Sequence, residues 1–163
     1  MAEIIDSKER CCCFTGHRPG KLTRSESDIC ADLEYEIQNA IVDGYTTFIS
    51  GMARGVDIWA AEIVLQLRDE GCPIHLICAI PHEGFEVSWT VDWQQRYWAV
   101  LQSADAVNYV CVSRCRGCYH IRNRWLVDHS SRVIAVYNGQ SGGTKNTIDF
   151  SLRQHLSIYQ IDG

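Results

Sequence analysis

Apolar and polar positions follow two different periods along this chain. Near-continuous apolar runs, "RCCCFTG", "YTTFIS", "IHLICAI", "AVNYVCV" and "RVIAVY", are separated by longer segments whose apolar residues recur three and four apart. Short apolar runs bounded by turn residues predict buried strands, and the wider spacing predicts amphipathic helices. From Ser25 to Asp43, the residues Ile29, Leu33, Ile37, Ala40 and Ile41 share one helical face. Ser25 with Asp28 makes a capping-box signature, and Gly44 a C-terminal stop. A second helix is expected from about Arg54 to Glu70, ended by "GCP". A third carries Trp89, Trp93, Tyr97 and Leu101 stacked four apart; a fourth spans about Ile121 to His129, and a last one Thr144 to Gln154. "LSIYQI" offers a sixth strand.

Strict alternation of apolar strands and helices predicts an α/β protein with a mainly parallel sheet of five or six strands, covered by helices on both faces. No repeat, low-complexity segment or linker interrupts the 163 residues, so residues 1–163 read as one domain. No apolar run reaches the roughly 18 to 20 residues that span a bilayer. The start, "MAEIIDSKER", lacks the apolar core of a secretory signal. A cytoplasmic protein without membrane contact is expected.

Composition adds little until the cysteines and the basic residues are located. Nine cysteines are an odd number and are scattered, with "CCC" at Cys11 to Cys13 inside an apolar run. Such residues act as small buried hydrophobes, and a reducing compartment suits them better than a disulfide framework. The net charge is −5, yet Arg18, Lys21, Arg24, Arg54, Arg114, Arg116, Arg122, Arg124 and Lys145 all fall in or beside strand-to-helix turns.

Those turns carry the candidate chemistry. In a parallel sheet every strand-to-helix turn lies along the carboxyl edge, where open α/β folds bind ligands. They read "TGHRPGK", "SGMARG", "IPHEGF", "SRCRGCYHIRNR" and "NGQSGGTKNT". Glycine allows close backbone approach to a phosphate, and helix N-termini attract anions. "SGMARG" and "SGGT" therefore read as two halves of an anion cradle, with Arg54 and Lys145 adding charge and Thr144 a hydroxyl. Neither turn matches G-x-G-x-x-G or the P-loop pattern, which disfavours an ordinary dinucleotide dehydrogenase or ATPase.

Together "CFTGHRP", "SGMARGVDIWAAE", "IPHEGFEVSW", "QQRYWAVLQSADAV", "RNRWLVDHSSRVIAVYNG" and "GGTKNT" resemble the YpsA-like proteins of the SLOG superfamily, in order and over nearly the whole chain. The resemblance implies a Rossmann-like three-layer fold that binds a nucleotide or nucleotide derivative. It implies that Thr15, Gly16, His17, Arg18, Gly51, Arg54, Gly55, Asp57, Gly142, Gly143 and Thr144 line one groove, which Arg122 and Asn123 approach. Relatives in the superfamily include cytokinin-activating phosphoribohydrolases, whose P-G-G-x-G-T-x-x-E pattern ends in a catalytic glutamate. Here Thr147 stands in that place, and a hydroxyl supplies no carboxylate near neutral pH. N-glycosidic hydrolysis would have to draw on Asp57 or Glu83, with Glu62 a further carboxylate that more simply faces solvent. DNA-processing protein A, another relative, binds single-stranded DNA and supplies the alternative reading, a nucleic-acid binder; a non-catalytic ligand-sensing module is the third. The expected partners are a nucleotide or other phosphorylated small molecule, nucleic acid in the alternative, and further copies of the chain as a homo-oligomer. No cofactor is expected.

Two other constellations have simpler readings. Cys111, Cys115 and Cys118 have the C-x3-C-x2-C spacing that holds iron–sulfur clusters, and His120 could complete a zinc set. Cys111 falls in an apolar run that predicts a buried strand, so no metal is expected there. The stripe of Trp89, Trp93 and Tyr97 reads as core packing, with Trp89 the residue best placed to stack on a base. His17, between glycine and arginine, is the histidine that stands out, whereas His129 and His155 read as surface or capping residues at helix ends.

Overall fold

The computed structural model describes residues 7–163. Six strands form one sheet: β1 (Cys11–Gly16), β2 (Thr47–Ser50), β3 (His75–Ile80), β4 (Ala106–Tyr109), β5 (Arg132–Tyr137) and β6 (Ser157–Asp162). Five helices alternate with them: α1 (Glu26–Val42), α2 (Val56–Asp69), α3 (Val91–Ser103), α4 (Cys118–Asp128) and α5 (Gly143–Arg153). The strand order is β4-β3-β2-β1-β5-β6, and every pairing is parallel. This is the expected Rossmann-like arrangement, with helices on both faces.

Side chains of a strand alternate between faces, and the sheet sorts its apolar residues that way. Cys12, Phe14, Phe48, Leu76, Cys78, Ile134 and Val136 meet α1, α2 and α3 in the larger core. Cys11, Cys13, Ile49, Ile77, Ala79 and Val133 turn to the opposite face, where Leu126 of α4 covers them. The triple cysteine is therefore split between two cores, each thiol fully buried.

α1 forms as its sequence dictates. The Ser25 hydroxyl accepts the Asp28 N–H at 3.1 Å, Ile29, Leu33, Ile37 and Ala40 are buried, and Gly44 turns the chain at φ +95°. Three boundaries differ from expectation. α3 starts at Val91, because Thr90 is extended at its cap, so Trp89 lies in the preceding turn rather than on the helix. β4 stops at Tyr109, leaving Cys111 beyond the strand and half-buried rather than inside a buried run. α4 begins at Cys118, one turn earlier than Ile121, because Gly117 adopts the left-handed conformation that opens the helix there. Among the described residues no helix is long and apolar enough to cross a membrane.

Candidate functional site

The strand order turns back at β1, with β2 on one side of it and β5 on the other. The connections leaving β1 and β5 go to opposite faces and leave a crevice beyond the carboxyl ends, the usual ligand position in such sheets. A cleft of about 440 Å³ occupies that place. Its two sides are stitched together by the Asn138 side chain, which donates to the Lys21 carbonyl at 2.7 Å.

The first turn enters the cleft directly, with Thr15, Gly16, His17 and Arg18 on its wall. Gly16 is required by packing: a Cβ there would lie 2.5 Å from the Cβ of Val56, so β1 and the start of α2 touch backbone to side chain. The His17 ring is buried and stacks on Tyr137 at 5.6 Å, and among the described residues its Nε2 has no hydrogen-bond partner. Burial, and secondarily the charge of Lys21, hold this imidazole below its ordinary pKa, which favours the neutral form.

The second turn supplies architecture and one carboxylate. Ser50 Oγ accepts the Met52 N–H at 3.1 Å and donates to the Asp57 carbonyl at 2.8 Å, pinning the loop to the helix it feeds. Gly55 caps α2 at φ +90°, a conformation that side chains rarely adopt. Asp57, in the first turn of α2, is buried, lines the cleft and accepts the Ala53 N–H at 3.2 Å. Burial pushes its pKa up to about 6, against the opposing pull of Arg122 and the Ala53 amide.

Arg122 reaches this corner from α4. Its guanidinium donates to the Gly51 carbonyl and, through Nε, to Asn123 Oδ1 at 2.9 Å. The Phe85 ring lies 5.8 Å from its Cζ. Burial weighs against the charge of Arg122 while Asp57 favours it. A buried cation and a buried carboxylate thus flank Gly51, where an added Cβ would stand 2.7 Å from Arg122 Nη1 and 3.0 Å from Asp57 Oδ2.

On the far side α5 presents its N-terminus. Gly142 caps the helix without any side-chain hydrogen bond, and the first turn carries no acidic residue. Its leading amides therefore keep their partial positive charge. Gly143 and the buried Thr144 line the cleft, and a Cβ on Gly142 would come within 3.6 Å of Lys21 Nζ. Asn123 Nδ2 is equally close to Gly143, at 3.8 Å from the corresponding point.

The cleft thus gathers Thr15, Gly16, His17, Arg18, Asp57, Arg122, Asn123, Gly143 and Thr144. Gly51, Gly55 and Gly142, expected there too, are not among the residues on its wall. Arg54 does not enter it: its guanidinium lies over the Trp89 ring, 5.6 Å from the centroid. Lys145 likewise turns away and pairs with Asp149 at 2.7 Å. Lys21 is the cation that the cleft holds in their stead. Of the expected carboxylates Glu83 is exposed and off the cleft wall, and Glu62 is engaged by Arg96 at 2.9 Å. Asp57 is the acidic residue on the wall. Thr147 is buried and donates to the Gly143 carbonyl at 2.9 Å, closing the first turn of α5. Trp89 packs edge-on against Phe85 and Tyr97 at 5.0 and 5.4 Å, and the aromatic faces on the cleft wall are instead Phe85 and Tyr119. Lys21 is expected only as one of the cations near the turns and His120 only as a further zinc ligand, and Phe85 and Tyr119 carry no expected role. Helical spacing could have found two of them, since Tyr119 precedes Arg122 by three and Asn123 by four, and His120 precedes Asn123 by three.

Away from the cleft, Cys115 and Cys118 are disulfide-bonded, with Cα atoms 5.5 Å apart. Cys11, Cys12 and Cys13 are the small buried hydrophobes expected, whereas the Cys115–Cys118 bond departs from the expectation of reduced thiols.

Comparison with known proteins agrees with this architecture. The YpsA family model, described as the YspA SLOG family, matches residues 12–161. The chain belongs to that family. A UPF0398 protein of Oceanobacillus iheyensis is 26% identical over 155 residues, covering 90% of this chain and 84% of its own length. Another, from Shouchella clausii, is 31% identical over 119 residues, 69% of this chain and 61% of its own. An uncharacterized SPbeta prophage-derived protein of Bacillus subtilis is 28% identical over 121 residues, 67% of this chain and 71% of its own. Among solved structures, DNA processing protein A from Streptococcus pneumoniae superposes with a TM-score of 0.64 at 18% identity, over 96% of this chain but 51% of that one. The Helicobacter pylori protein, described by its single-stranded DNA binding mode, gives 0.67 at 17% identity, over 98% of this chain and 68% of its own. At those identities the likeness is one of fold.

Proposed function

We propose that the cleft binds a nucleotide or a phosphorylated nucleotide derivative. The observation that carries this reading is the α5 N-terminus, which opens on the cleft with no acidic residue in its first turn and with Lys21 beside its cap. Uncapped helix amides with an adjacent ammonium make an anion site, and phosphate fits it. The remaining wall suits the rest of a nucleotide. Phe85 and Tyr119 offer faces for a base, and the unpartnered His17 Nε2 and the Asp57 carboxylate offer groups for sugar hydroxyls. A cleft of about 440 Å³ lies within the size range of small-ligand sites.

The chemistry available for turnover is narrow. Asp57 is ionised above about pH 6 and faces the same space as the proposed sugar. It is the group that would stabilise positive charge developing at a glycosidic carbon. Thr147 has no such capacity, and its hydroxyl is already committed to Gly143. We therefore read the protein first as a binder, with N-glycosidic hydrolysis as the reaction this carboxylate could support.

A thermal-shift series with inorganic phosphate, ribose 5-phosphate, nucleosides and nucleoside monophosphates tests the assignment. Phosphorylated ligands raise the melting temperature more than the nucleosides do, and Lys21→Ala removes the difference while Arg54→Ala keeps it. Equal shifts in wild type and Lys21→Ala would overturn the site.

One observation favours a second reading, a single-stranded nucleic-acid binder. A neighbouring concavity shares His120 and Asn123 with the cleft and carries Arg124 and Arg153 about Phe150, at 5.0 and 5.9 Å from its ring. Cationic and aromatic groups along a groove suit a strand, and the fold is shared with a protein described as binding single-stranded DNA. The two readings separate by salt: a strand bound through several phosphates loses affinity steeply as salt rises, and a mononucleotide far less.

A further inference from the structure

The loop between β4 and α4 holds a second cluster that the nucleotide reading does not use. The sulfur atoms of Cys111, Cys115 and Cys118 all lie within 4.8 Å of one another, those of Cys115 and Cys118 being joined as a disulfide. Three chain segments bring them there. Cys111 follows β4 and is held by its N–H to the Pro81 carbonyl at 2.9 Å. Cys115 sits on the exposed loop, and Cys118 is the buried first residue of α4. The Cys115 N–H points at Cys118 Sγ at 2.8 Å, and Cys118 Sγ also contacts the Ser113 carbonyl at 3.6 Å.

We propose that the reduced loop is a tetrahedral thiolate site for one borderline-soft divalent cation of the zinc class. Thiolates on a single zinc, each about 2.3 Å from the ion, stand about 3.8 Å apart; opening the Cys115–Cys118 bond frees its two sulfurs to reach that spacing, with all three sulfurs starting within 4.8 Å of one another. It does not suit the iron–sulfur cluster that the C-x3-C-x2-C spacing brings to mind, because a cluster spreads its thiolates over separate irons. Once the disulfide is opened, an N–H that stays aimed at Cys118 Sγ would stabilise a thiolate there rather than a buried neutral thiol. Arg114 and Arg116 balance the surplus negative charge of three thiolates on a divalent ion, and they line the concavity beside Cys115 and Cys118. Three thiolates leave a fourth position for water or an exchangeable ligand; His82 lines the neighbouring concavity but is not one of the three clustered ligands. His82 Nδ1 lies 2.8 Å from the Glu83 carbonyl, and the tautomer that donates there leaves the Nε2 lone pair free.

Loading requires the Cys115–Cys118 bond to be opened. A phosphine or thiol reductant supplies two electrons, two protons complete the thiols, and binding of the cation then releases the thiol protons to water. The bound ion would fix the start of α4, the helix that delivers Tyr119, His120, Arg122 and Asn123 to the cleft.

The test is a metal titration of the full chain, reduced with a water-soluble phosphine, stripped of metal and kept under nitrogen. Co²⁺ is added first as the spectroscopic probe and Zn²⁺ second as competitor. The expected result is about one Co²⁺ per chain, with thiolate-to-cobalt charge-transfer bands and the d–d bands of tetrahedral cobalt, all erased by Zn²⁺. Cys111→Ser, Cys115→Ser and Cys118→Ser each weaken Co²⁺ binding by about 100-fold or more, and Cys30→Ser changes nothing. Cys115 is exposed, so Cys115→Ser keeps the fold by circular dichroism even where Cys118→Ser does not. Absent thiolate bands, or bands that survive Cys115→Ser, would overturn the site. So would a reduced protein that ignores Co²⁺ and re-forms the Cys115–Cys118 bond in air, which would be a redox pair only.

Discussion

The Arg122 guanidinium, from α4, donates to the carbonyl of Gly51 just after β2 and so ties that helix to a turn 71 residues earlier in the chain. The contact explains why that corner is a glycine, since a Cβ would stand 2.7 Å from Nη1. Gly51→Ala is expected to displace the guanidinium and cost about 1–3 kcal/mol in denaturant unfolding. Arg122→Ala leaves Asp57 buried without its cation and is expected to cost about 3 kcal/mol.

The pH dependence of stability reports on Asp57. Its folded pKa, about 6, lies above the ordinary value of 3.8, so between those values the folded state binds more protons than the unfolded one. Its contribution to stability is full below the lower value and is lost as pH rises through the upper one. His17 acts in the opposite sense, because its pKa is lowered in the fold. The melting temperature of wild type minus that of Asp57→Asn isolates the first effect, and this difference is expected to fall as pH rises from about 4 to about 6. A flat difference would show that Asp57 is not desolvated as described. In Arg122→Ala the falling limb moves to higher pH, because the cation that lowers the Asp57 pKa is gone.

Gly16 makes the sharpest packing prediction. The atom nearest a new methyl is the Cβ of Val56, at 2.5 Å, and a Cβ cannot swing aside as the tip of a long side chain can. Gly16→Ala is expected to destabilise by about 3 kcal/mol, and Val56→Gly, which removes the clashing Cβ, should show a positive coupling with it in a double-mutant cycle.

Where the sequence was legible, the physics was local. The strand runs and the helical face of Ile29, Leu33 and Ile37 fix their own periods, and Ser25 and Gly44 act on their own backbone. That Gly16, His17, Asp57 and Thr144 share one cleft wall was legible because parallel topology sends every strand-to-helix turn to one edge. Arg54 and Lys21 show the limit. Both are cations in glycine-rich turns, and only the tertiary direction of each side chain puts Lys21 beside the α5 cap and Arg54 over Trp89. Trp89 is a similar case, since four-residue spacing continued a helix that Thr90 interrupts.

The aromatic wall should govern affinity for the base rather than for the phosphate. Tyr119 is 46% exposed on the cleft rim. Tyr119→Ala is therefore expected to leave stability within about 0.5 kcal/mol. By calorimetry it should weaken nucleoside monophosphates by about tenfold while sparing ribose 5-phosphate.

Backbone amide shifts on titration with a nucleoside monophosphate test the central claim most directly. The account predicts the largest changes at Gly143 and Thr144, accompanied by Gly16 and His17, and a loss of the Gly143 and Thr144 response in Lys21→Ala. Saturable binding that leaves those amides unmoved, or that shifts only residues away from the ends of β1 and β5, would contradict it.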